Sequence, residues 1–325
     1  MIRFFGDNRP FALFFLPLVL LGFHLTYRLT FSAIGPLDIE FGWWGNARLE
    51  QGSSNIYAEI CAATWVLMNA IALNYTFNSA EFNEKNTYLP ALNFVVFSAL
   101  FMNFYELNGF HLASSMIILS INQFLKLNQN QAGTLRIFNA GFFIAIAASV
   151  YPPFVLLIPL GILCYLIFRP FQMREFYFYL LGSAIPFSYL ISFSYLYDTQ
   201  SPSLAYAWNP FIVNFSLSHS INAAIVLCLF VVSLIGVRHK LSNAGNRMKK
   251  EIQLVNLFGV GIFFSLLFCV FLGKPSLKIE YFTIPLSILF SFPLLSKRFS
   301  FPSSLLFYLF LIYGLLKFTF LNSLL

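Results

Sequence analysis

Three short stretches of this chain hold residue types able to do chemistry. The first, "GPLDIEFGWWGNARLE", carries Asp38, Glu40 and Glu50 around the pair Trp43 and Trp44. The second, "NFYELNGFHLASS", places Glu106 shortly before His111. The third, "FLGKPSLKIEY", sets Lys274 and Lys278 ahead of Glu280 and Tyr281. A carboxylate or an imidazole can take a proton from a hydroxyl group or hold a divalent metal. An ammonium is a point-charge partner for phosphate. Asp38, Glu106 and His111 are therefore the candidate catalytic residues. Glu40, Lys274, Lys278, Trp43 and Trp44 are the candidate substrate contacts. The Trp pair has three readings: an interfacial anchor, a surface on which a sugar ring stacks, or the lining of an entrance for an isoprenoid chain. The sequence requires no cofactor. A divalent metal is the one these groups would suit, but His24, His111 and His219 show no metal-ligand spacing, so no metal ligands are assigned.

The elements that must position these residues are apolar. Of 325 residues, 59% are hydrophobic, 43 are Phe and only 10% are charged. A soluble domain carries about a quarter charged residues, so the composition excludes one. The reading is all-α: a polytopic helical membrane protein, with residues 1–325 as one integral-membrane domain and no soluble domain. The net charge of +7 does not indicate nucleic acid, because the basic residues are scattered between apolar runs. Cys61, Cys164, Cys228 and Cys269 lie far apart inside those runs and read as small buried hydrophobes. The basic, apolar start lacks a small-residue cleavage pattern and is expected to be a retained first span.

A span needs about 20 apolar residues, or fewer for short pieces. Candidate spans lie near 10–27, 56–76, 88–104, 110–126, 137–150, 152–168, 176–197, 217–237, 253–272, 281–296 and 303–322, about eleven in all. Pro152 and Pro153 split the fifth from the sixth, and tandem prolines predict a tight helical hairpin there, with one long kinked helix as the alternative that would reverse everything downstream. With the N-terminus cytoplasmic, the inner side receives Arg3, Arg9, Lys85, Lys126, Arg136, Arg169, Arg174, Arg238, Lys240, Arg247, Lys249, Lys250, Lys297 and Arg298 out of 19 basic residues. That bias follows the positive-inside rule and supports the hairpin. The three stretches above then fall on the outer face. So do His24, Arg28 and Glu59, with Lys317 near the outer end of the last span. Glu59 reads either as a helix-start charge or as an ionisable group within a span. Asn69, Asn74 and Asn139 are polar groups suited to bonding between helices. There is no P-loop, GxGxxG, HExxH or GxSxG.

At these residues the chain resembles the GT-C superfamily of polyprenyl-linked glycosyltransferases. The likeness rests on "GPLDIEFGWWGNARLE" after the first span, on "YELNGFH", on "FNAGFFIAIAASVYPPFVLLIPLGILCYLIFRPFQMREFYFYLLG" and on "KIEYFTIPLSILF". It implies a GT-C-like architecture with interfacial helices in the outer loop. It also implies Asp38 as base toward an acceptor, Glu106 as accessory acid or metal contact, and Lys274 or Lys278 on a lipid phosphate. The first loop reads Asp-Ile-Glu where that superfamily commonly has adjacent acids. Stretches such as "FNEKNTYLPALNFVVFSALF" and "RPFQMREFYFYLLGSAIPFSYL" look like a poorly characterised family of Bacteroidota multi-spanning proteins, which implies the bacterial inner membrane and envelope biology. The partners expected are the lipid bilayer, a polyprenyl-phosphate lipid and another membrane protein. The alternatives to a transferase are a non-catalytic membrane scaffold and a lipid or small-molecule transporter.

Overall fold

The computed structural model describes residues 1–7, 11–30, 37–40, 42–44, 46–49, 54–101, 104–127, 133–196, 217–242, 244–271, 279–296 and 299–322, with only the backbone of 30, 37–40, 46–49, 54–55, 217–220, 269–271 and 318–322. The helices are α1 (Ile2–Gly6), α2 (Ala12–Thr30), α3 (Ser54–Ser79), α4 (Leu89–Ser98), α5 (Gly109–Lys126), α6 (Gly133–Val150), α7 (Leu157–Phe168), α8 (Met173–Leu196), α9 (Leu217–Ser242), α10 (Asn246–Phe271), α11 (Thr283–Leu289), α12 (Ser291–Leu295) and α13 (Ser300–Asn322). Between α2 and α3 runs a hairpin of strands β1 (Leu37–Glu40) and β2 (Asn46–Leu49). The pair is antiparallel, with Asp38 in register with Arg48. The described part of that loop is thus a hairpin with a 3-10 turn at Gly42–Trp44, where the resemblance implied interfacial helices.

Among the described residues, 7 helices are long and apolar enough to cross a membrane: Ala12–Leu29, Ile56–Ser79, Gly133–Val150, Met173–Leu196, Ile221–Ser242, Asn246–Phe268 and Ser300–Lys317. The protein is a multi-pass helical membrane protein, and the lipid bilayer is its surrounding. Phe14, Leu18, Leu21 and Leu25 point outward along α2, as apolar groups do where the solvent is hydrocarbon rather than water. Cys61 and Cys228 are on such outward faces, so only Cys164 of the described cysteines is buried as expected.

The other expected spans correspond to different structures. The run 88–104 yields α4, which stops at Ser98 and is buried along its whole length. The run 281–296 is broken at Phe290 into α11 and α12. α4 and α11 touch: Asn93 donates its amide to Ser287 O at 3.3 Å and to Ser291 Oγ at 3.0 Å. These short helices are sheathed by protein, so they need neither the length nor the lipid-facing surface of a span. The run 110–126 becomes α5, begun by Asn108, whose side chain accepts from Phe110 N at 2.9 Å. Its Ser114, Ser115, Ser120 and Asn122 set it apart from the apolar spans.

The tandem prolines end α6. Pro152–Leu156 form a 3-10 turn, and the chain reverses into α7. The start of α6 lies beside Arg169, after the end of α7, and Ile144 lies beside Gly161, so α6 and α7 are antiparallel. α8 returns parallel to α6, with Gly133 near Glu175 at one end and Trp44 joining Ser149 to Phe193 at the other. The two helices pack through glycines. A Cβ on Gly141 would stand 2.6 Å from Tyr179 O, and one on Gly182 would strike Phe138 O. Small residues of this kind let membrane helices approach backbone to backbone.

The basic end is cross-tied. Arg169 bonds Glu175 at 3.0 Å and reaches Leu127 O, while Arg136 donates to Lys126 O at 2.9 Å. Arg247 joins Glu251 at 3.0 Å and Glu81 at 3.2 Å. At the opposite end lie the C-terminal half of α2 and the starts of α3 and α5. Gly182→Val should lower stability by about 1–3 kcal/mol through overpacking against Phe138. A thermal melt in detergent reads this; an unchanged melting temperature would show that α8 can retreat from α6.

Candidate functional site

At the end opposite the basic ties, helix geometry brings ionisable groups from distant parts of the chain into one cluster. His24 and Arg28 stand one turn apart on α2 and so share a face. Glu59, early in α3, meets both. Its Oε1 lies 3.0 Å from His24 Nδ1, and its Oε2 accepts from Arg28 Nε at 2.7 Å. His24 and Glu59 are each 7% exposed, while the Arg28 side chain is 41% exposed. A carboxylate taken this far from water stays ionised only with such partners.

The α4–α5 connection covers this group. His24 stacks on Phe104 at 5.3 Å and meets the edge of Tyr105 at 5.2 Å. Tyr105 stacks on Tyr27 at 4.6 Å and donates its hydroxyl to Ala99 O at 3.0 Å. Lys317 from α13 donates to the same carbonyl at 2.7 Å and sits 5.0 Å over the Tyr105 ring. Tyr27 donates to Glu106 Oε1 at 3.3 Å. Burial raises the Glu106 carboxyl above its ordinary value, and the Tyr27 bond opposes that shift.

His111 is fully buried. Its Nε2 donates to Glu106 O at 2.9 Å, so its imidazole steadies the connection's backbone and not the Glu106 carboxylate. A layer of amide and hydroxyl bonds supports it. Asn69 donates to His111 O at 3.0 Å, Ser115 bonds Asn69 Oδ1 at 2.6 Å and Trp65 donates to Ser115 at 2.8 Å. Asn69 thus ties α3 to α5, as its type suggested. Two buried ring nitrogens, His24 Nε2 and His111 Nδ1, have no hydrogen-bond partner among the described residues.

Of the catalytic candidates, Glu106 and His111 are together in this cluster. Asp38 and Glu40 are on β1, and their side chains fall outside the described residues, as do Lys274 and Lys278. Trp43 and Trp44 are described. Trp43 packs on Phe187 at 5.8 Å, and Trp44 packs on Phe193 at 5.9 Å while donating to Ser149 Oγ at 2.9 Å. The turn they occupy needs Gly42, which has φ +61 and lies against the carbonyl of Val150. The Trp pair therefore docks the hairpin on α6 and α8. Among the described residues no group of His, Cys, Asp and Glu is arranged to hold a metal. The sequence alone did not join His24, Arg28, Glu59 and Lys317. The signal was there in ionisable residues falling within spans, which are costly unless used or paired.

Comparison with known proteins finds no matching family, no similar curated protein and no similar solved structure.

Glu59→Leu strands His24 and Arg28 and should cost about 3 kcal/mol, the lower end for a broken buried pair because Arg28 reaches solvent. Melts of the purified variant check this, and a stability equal to wild type would contradict it. Glu106 acts in the opposite sense. With its carboxyl raised above 4.5 in the fold, its contribution is present below that pH and is lost as pH rises through the raised value. Glu106→Gln should therefore melt above wild type at neutral pH and remove that part of the pH dependence.

Proposed function

We propose that the protein is a transferase of GT-C-like layout in the bacterial inner membrane, acting at the periplasmic face on a polyprenyl-phosphate-linked sugar. One observation carries the reading: a buried, mutually paired set of ionisable groups, with half-buried Glu106 at its margin, sits at the end away from the basic ties. Positive-inside orientation makes that end the outer one. An ionisable group held within a membrane domain is by default a candidate for function. In this reading Asp38 takes the acceptor hydroxyl's proton as the anomeric bond breaks, Glu106 assists, and the lipid phosphate leaves against Lys274 or Lys278. The bundle would comprise the seven spans with the shorter helices completing a count of about eleven.

A second reading has an observation of its own. Glu59 is engaged by His24 and Arg28, Glu106 by Tyr27, and the Trp pair by α6 and α8. Such closure suits a non-catalytic scaffold for another membrane protein of the envelope. The test that separates the two compares envelope glycans in a deletion strain complemented with Asp38→Asn or Glu106→Gln at wild-type protein levels. Glycans lost on deletion and not restored by Asp38→Asn support the transferase. Full restoration by both variants supports the scaffold.

A further inference from the structure

His24 is held more firmly than packing alone requires. Glu59 fixes the ring through Nδ1 at 3.0 Å, and in the neutral ring that accommodates this bond Nδ1 carries the proton and Nε2 is the bare nitrogen. Arg28 occupies the other carboxylate oxygen at 2.7 Å and so holds Glu59 in place. Nε2 is buried and has no hydrogen-bond partner among the described residues. Leaving a buried acceptor unmade is costly, and a structural imidazole would gain by pairing it. A carboxylate that orients an imidazole and steadies its protonated form, with the far nitrogen unpaired, is the arrangement by which proteins prepare a general base. The rings that cover His24 come from Phe104 and Tyr105, on the connection between α4 and α5 rather than on a spanning helix.

We infer that His24 is the proton acceptor for a hydroxyl-bearing ligand bound beneath the α4–α5 connection, with Glu59 as its positioning residue. The inference rests on the transferase reading and changes its base. The acceptor's O–H proton passes to His24 Nε2, and the acceptor oxygen bonds the anomeric carbon. The bond from that carbon to the lipid-phosphate oxygen breaks, its electron pair staying with the phosphate. The imidazolium, steadied by Glu59, returns its proton to water. Asp38 is then free to face the positive charge that develops on the sugar.

Two measurements test this. Full-length wild-type protein in lipid nanodiscs is treated with diethyl pyrocarbonate, which acylates unprotonated imidazole nitrogen, and its peptides are read by mass spectrometry. Exposed His239 serves as the internal control. Acylation of His24 in protein that keeps its melting temperature is the expected result. Labelling of His239 with His24 untouched overturns the inference, and this needs no variant that might misfold. In cells, His24→Gln at wild-type protein levels should lose the glycan that deletion loses. A glycan retained in His24→Gln but lost in Asp38→Asn overturns the inference and leaves the transferase reading standing. A deletion strain with unchanged glycans removes the transferase reading, and the labelling result alone then decides whether His24 is an open base.

Discussion

A charge surrounded by hydrocarbon must find a partner or give up its charge, and Glu59 meets that requirement with two. Its bonds to His24 and Arg28 lock α2 to α3 at one angle and depth. That lock presents His24 and Tyr27 to the α4–α5 connection, whose Phe104, Tyr105 and Glu106 then pack and bond against them. The placement of His111 follows in turn, because its ring holds the carbonyl of Glu106. One desolvated carboxylate thus sets the geometry of an entire end of the bundle.

The opposite end obeys the same rule with the signs exchanged. Glu175 and Glu251 are buried among basic residues, and each is met by an arginine. Between the two ends the spans meet through glycine and phenylalanine rather than through charge, as in the backbone approach of α6 to α8. Among the described residues the ion pairs lie toward the helix ends, and the bundle between them is crossed by neutral polar bonds such as those of Asn69 to α5 and of Asn93 to α11 and α12.

Much of this was legible in the sequence. The apolar runs identified the membrane class, and Pro152 and Pro153 marked the reversal that makes α6 and α8 parallel. Asn69 is of a type suited to bonding between helices, and it bonds α5. Sequence could not show that α4 stops at Ser98 or that a break falls at Phe290, because a continuous apolar run looks alike whether lipid or protein surrounds it. Nor could it join Glu59 to His24, since they come from separate spans and meet only when those spans pack. The Trp pair suits an interface, a sugar ring or an isoprenoid entrance by its type alone, and its contact with Ser149 and Phe187 depends on a docking partner far along the chain.

The bond from Lys317 to the carbonyl of Ala99 joins residues 218 positions apart. During synthesis the early spans are in the membrane well before Lys317 has been made. Until then the connection over His24 lacks one of its fastenings. The cluster is finished only when α13 inserts, so its completion reports that α13 has joined the earlier spans.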